Sequence, residues 1–170
     1  MPQFTRSGLL RYYFGNHMKA VTQNTSDQQN PPNFSSALEF FDAHAFATLS
    51  ALCARLIPQP EREPFLGIAR AIDFRAGQKA AGRWPGAVQF LDAASIQLGL
   101  QGLDELSRTR LRRDFAQLDA VRQDQILFSL QTGTAAGGVW NQISPRRFFE
   151  ELLHEATEIY HTAPVTEEAV

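Results

Sequence analysis

From Asp42 to Pro164 the apolar residues of this chain recur every three or four positions, and no stretch alternates convincingly between apolar and polar. A three-and-four spacing gathers apolar groups on one side of a helix, whereas a half-buried strand needs a period of two. That feature restricts the chain to helix packed on helix. Ala45, Leu49, Leu52, Cys53 and Leu56 make a first stripe, opened by Asp42 as N-cap and stopped by Pro58 and Pro60. "QPEREP" (59–64) reads as a loop, and Pro64 can sit in the first turn of a short helix carrying Phe65, Ile68, Ala69 and Ile72. "AAGRWPG" (80–86) breaks the pattern.

A longer helix is expected from about residue 87 to 112. Val88, Leu91, Ser95, Leu98 and Gly102 mark one row, and Ile96, Leu100, Leu103 and Leu111 extend the apolar side. Gly99 and Gly102 each weaken it by about 1 kcal/mol relative to Ala, unless they let a neighbour come close. After a turn with Asp114, Phe115 and Leu118, Asp119 caps a helix that ends at Gly133. "GTAAGGVWNQ" (133–142) reads as a loop docked by Trp140, and its glycines match neither a dinucleotide fingerprint nor a P-loop. Ser144 caps the last helix, Pro145 opens it and Pro164 ends it. The expectation is an all-α domain of about five helices over 37–164. A polar, flexible leader precedes it at 1–36, and a short tail follows at 165–170.

Composition narrows the functions. The chain has 170 residues, 44% apolar and 20% charged, which fits one soluble domain with a sizeable core. A net charge of −2 offers no broad basic field for nucleic acid. The cluster "RTRLRR" (108–113) stands beside Asp104, Glu105 and Asp114, which weakens it as a phosphate patch. Cys53 is the only cysteine, so an intrachain disulfide and a Cys-rich metal site are excluded, and it reads as a small hydrophobe. No apolar run approaches the ~20 residues that span a bilayer. "SGLLRYYFGNHMK" is too short and mixed for a signal peptide, and no twin-arginine pair precedes it. By sequence the chain is cytoplasmic, unless a partner carries it to the periplasmic side of a membrane.

One segment resembles a ligand set. "LLHEATEIYH" (152–161) puts His154, Glu158 and His161 within about 60° of one another on a helical wheel, as a helix would present zinc or iron ligands. Phe149, Leu152, Ala156, Ile159 and Tyr160 cluster opposite. A wet or partner-facing stripe is the preferred reading and a metal site the alternative; the spacing is not the HExxH of metalloproteases. Asp73 and Asp92 lie among apolar residues and read as a cap or an ion pair, with Arg75 or Arg83 as candidate partners. No residue is nominated as catalytic. Trp84 and Trp140, in loops, are candidate anchors for a partner, together with His154 and Tyr160.

Several blocks, in order, resemble the gluconate 2-dehydrogenase subunit 3 family. "ALCARLIP" (51–58) is similar to its opening, and "GIARAIDF" (67–74) to its next short helix with an Ile-Asp pair. "LQGLDELSRTRLRRDFAQLDAVRQDQIL" (100–127) resembles its most recognisable block through Gly102, Leu103, Phe115, Leu118 and Gln123, with the Leu-Asp pair displaced to Leu103 and Asp104. Phe148, Phe149, Tyr160 and Pro164 match its last helix. The resemblance covers roughly 40–164. It implies a small helical accessory subunit, without a catalytic motif or a cofactor of its own. Such a subunit stabilises, and often helps export, a large FAD-dependent sugar or polyol dehydrogenase of the glucose–methanol–choline type. It also implies, in many complexes, a cytochrome c subunit that takes the electrons onward. Two features depart from the family: the twin-arginine signal many members carry, and a Gly- and aromatic-rich tail beyond the Tyr…Pro end.

Overall fold

Asp42, Asp92 and Asp119 each hold an extended backbone conformation and start a helix. Their carboxylates accept the N–H of Ala45 (2.7 Å), Ser95 (2.6 Å) and Arg122 (2.9 Å), satisfying amides that a first turn leaves open. In this computed structural model the described residues are 37–57, 65–83 and 91–162. They form five α-helices: α1 (Ala43–Leu56), α2 (Phe65–Ala80), α3 (Ala93–Leu111), α4 (Ala120–Gln131) and α5 (Pro145–Thr162). Short 3-10 turns occupy Phe115–Gln117 and Gly138–Asn141, and no strand occurs among the described residues. The all-α expectation holds. The expected leader (1–36) and tail (165–170), the loop 59–64, and Trp84, Val88 and Pro164 lie outside the described residues.

Two boundaries differ from the sequence expectation. Helix α2 continues past Ile72 to Ala80, because Ala76 and Lys79 prolong its buried row. Helix α3 begins at Ala93, since Asp92 caps it there. Its buried side runs through Ile96, Gly99, Leu100, Leu103 and Ser107, while Ser95 and Leu98 are only half-buried.

Helix α1 packs against each of the other four helices, and Leu49, Leu52 and Cys53 on it are essentially sealed from solvent. Around them lie Ile72 of α2, Ile96, Leu100 and Leu103 of α3, Ile126 and Leu130 of α4, and Phe148, Leu152 and Ala156 of α5. Each buried Leu, Ile or Phe contributes about 1.5–3 kcal/mol before ordering entropy is subtracted. Arg55 of α1 grips Asp124 of α4 by donating Nε–H and Nη2–H to its two carboxylate oxygens, at 2.7 and 2.6 Å.

The two glycines of α3 are contact points rather than weak spots. A Cβ on Gly99 would lie 2.0 Å from the Phe148 ring, and one on Gly102 would lie 2.8 Å from the Trp140 ring. Their missing side chains let α5 and the 138–141 turn press onto α3. Trp140 and Phe148 also touch, with ring centroids 5.7 Å apart. Helix α3 ends at Arg112, whose φ of 62° is left-handed and positive, a position where glycine is usual. Holding a non-glycine residue there costs about 1–2 kcal/mol.

Candidate functional site

Two polar centres lie inside the bundle. The first is Asp104, 3% exposed, on α3. One carboxylate oxygen accepts the Phe115 backbone N–H at 2.9 Å. The other accepts the Thr48 hydroxyl at 3.1 Å and meets His44 Nε2 at 2.9 Å, both from α1. Gln123 of α4 then donates its side-chain amide to the Phe115 carbonyl at 3.1 Å. Asp104 thus ties α1, α3 and the 3-10 turn together, and Gln123 adds α4.

His44 extends this centre toward solvent. An ionised carboxylate can only accept, so Nε2 carries the proton in the His44–Asp104 contact. The Arg108 guanidinium, 3.4 Å from the same nitrogen, therefore faces a donor and is not its hydrogen-bond partner. Arg108 pairs instead with Asp114 through a short Nε–Oδ1 contact. The ligand atoms of His44, Asp104 and Asp114 all lie within 4.8 Å of one another. Asp104 already accepts three bonds there, and Arg108 supplies the positive charge that a cation would bring. The arrangement works as a pin between helices.

The second centre is Glu155 of α5, 1% exposed. Its Oε1 takes the Lys79 ammonium at 3.2 Å and stands 3.9 Å from Arg75, both on α2. Its Oε2 has no hydrogen-bond partner among the described residues, and the same is true of the buried Ser107 Oγ. Burial pushes the nearby Cys53 thiol up to about 12, and the Glu155 charge adds to the rise. Cys53 is thus held as a neutral thiol, in keeping with a small core hydrophobe.

Asp73 is buried, as its neighbours suggested, but neither Arg75 nor Arg83 pairs with it. It accepts the backbone N–H groups of Glu39 (2.7 Å), Phe40 (3.0 Å) and Phe41 (2.8 Å), fixing the approach to α1. Arg75 turns to Glu155 and Glu158, and Arg83 to Gln78. Asp92 is exposed, and its hydrogen bonds to Ser95 hold its carboxyl below the usual range.

His154 and His161 are exposed and Glu158 is half-buried, as the wheel required. The three do not converge as a ligand set. Glu158 bonds Arg75 at 3.5 Å, and the His161 ring sits edge-on to Tyr160 at 5.4 Å. Tyr160, expected on the apolar side, is 42% exposed because it lies at that side's edge near the helix end. Trp140 packs on the chain's own core at 7% exposure and donates its indole N–H to the Gly102 carbonyl at 3.1 Å. That leaves little of it for a partner to hold. The sequence reading missed Thr48, Lys79 and Glu155. The signal for Glu155 was present: it is three residues from Leu152 and four from Ile159, on the buried row of α5.

A family model described as gluconate 2-dehydrogenase subunit 3 matches residues 43–169. No curated protein and no solved structure matches. The match spans all five helices and takes in both polar centres.

Proposed function

The chain belongs to the gluconate 2-dehydrogenase subunit 3 family, and on that premise we propose that it is a non-catalytic accessory subunit. It stabilises, and helps export, an FAD-dependent sugar or gluconate dehydrogenase of the glucose–methanol–choline type. The FAD belongs to the large subunit, and a cytochrome c subunit of the same complex takes the electrons onward. No helix among the described residues is long and apolar enough to cross a membrane.

The observation that carries this reading is where the family's landmark residues go. Asp73, Asp104 and Gln123 bond backbone groups, Gly102 seats Trp140, and Phe148 fills the space over Gly99. Each holds one element of the fold to another. What such a motif set specifies is a rigid shape, and a rigid helical body suits a partner's surface.

The test is affinity purification of the tagged, full-length chain from cells that also express the dehydrogenase. Recovery with a flavin-bearing large subunit supports the reading. Recovery as a lone monomer in those cells refutes it.

A further inference from the structure

We propose that the corner where α3 gives way to α4 docks an acidic protein face of the flavoprotein partner, an inference that rests on the accessory-subunit reading above. Arg110, Arg112 and Arg113 are exposed there, and their side chains make no ion pair or hydrogen bond among the described residues. Every other described arginine and lysine has a side-chain partner. For most it is a carboxylate; for Arg70 it is the Phe46 ring and for Arg83 it is Gln78.

The sequence suggested that neighbouring acids neutralise this cluster, and the structure removes that compensation. Asp104 is buried and bonded inward, and Glu105 bonds Gln101 and the Val139 amide. Asp114 is matched to Arg108. Three positive charges are left standing together on a chain whose net charge is −2.

Two further features mark the corner. Arg112 occupies the left-handed position that suits glycine, so Arg112→Gly removes this charge without straining the backbone. Val121, in the first turn of α4, is 67% exposed, more than either other large hydrophobic exposed among the described residues. Arginine is among the residues enriched at protein–protein hot spots, whereas lysine is depleted from interfaces. A phosphate polymer or anionic membrane fits less well. Three arginines on a chain of net charge −2 make too small a basic field to track a phosphate backbone or a charged lipid surface.

The experiment compares capture of the flavin-bearing subunit by the full-length tagged chain and three variants. Arg110→Glu/Arg112→Glu/Arg113→Glu is expected to lower retained flavin at least tenfold. Arg146→Glu/Arg147→Glu, on α5, should retain it. Arg112→Gly should raise the melting temperature while weakening capture several-fold, an outcome that loss of folding cannot produce. Wild-type capture should also fall steeply between 50 and 500 mM salt. If the triple variant holds the flavoprotein as well as wild type does, the docking corner is wrong and the accessory role stands. Equal loss in the α5 control also overturns the corner. Charge-dependent binding of a DNA duplex or anionic vesicles in place of the flavoprotein would overturn it too. If wild type captures no flavin-bearing chain, the accessory-subunit reading itself fails.

Discussion

Asp104 receives the backbone N–H of Phe115 across eleven residues of sequence, and that bond closes α3 onto the turn that starts α4. The same carboxylate holds Thr48 and His44 of α1, so one buried acid sets the positions of three segments. Asp104→Ala strands the Phe115 amide and the Thr48 hydroxyl, and should destabilise the chain by about 2–4 kcal/mol. Asp104→Asn keeps one acceptor and should cost less. Urea unfolding midpoints of the two variants check the order.

Close approach at Gly99 predicts a pair of opposite outcomes. Gly99→Ala forces a methyl into the Phe148 ring and should cost about 1–3 kcal/mol or more. Gly67→Ala, in α2 with nothing within 4 Å, should instead stabilise by about 0.5–1 kcal/mol. Phe148→Leu should recover part of the Gly99→Ala loss, and a double-mutant cycle in thermal unfolding would report that coupling.

The Lys79–Glu155 pair is buried on both sides, so breaking it should hurt more than replacing it. Lys79→Met leaves the buried Glu155 carboxylate facing only the more distant Arg75, at 3.9 Å, and should cost about 3–5 kcal/mol. Lys79→Met/Glu155→Leu should regain most of that loss. Calorimetric melting of the three proteins distinguishes this from simple additivity.

Cys53 gives a pH dependence of known sign. Its folded pKa of about 12 lies above that of an unfolded thiol, so its contribution is fully present below about pH 8.5. Above that pH the unfolded chain gains a thiolate that the folded chain cannot form, and stability falls as pH rises toward the folded value. Wild type should lose stability between pH 8.5 and 10.5 faster than Cys53→Ala does. Thiol reagents should label the native protein only as fast as it opens.

Much of this was legible in the sequence because it rests on local rules. Asp42 and Asp119 were readable as caps, and the stripe through Leu49 as a buried face, since capping and periodicity act within a few residues. Gly99 and Gly102 could be flagged as contact points, but not matched to Phe148 and Trp140, because those partners arrive from distant elements. Asp73 was readable as buried, yet its partners are backbone amides some thirty residues upstream, which no side-chain pattern encodes. Lys79 and Glu155 each occupy an apolar row, and the charge on one accounts for the charge on the other only once α2 meets α5. The unpaired state of Arg110, Arg112 and Arg113 was hidden for the same reason: Asp104 and Glu105 are neighbours in sequence that the fold turns elsewhere.

The most direct test of the account is the yield and turnover of the flavoprotein with and without this chain. In cells expressing the dehydrogenase, deleting the chain should cut the amount of soluble, flavin-loaded enzyme several-fold while dye reduction per bound flavin stays the same. The purified chain alone should show no sugar-dependent dye reduction. An unchanged yield of flavin-loaded enzyme, or sugar oxidation by the chain by itself, would contradict the account.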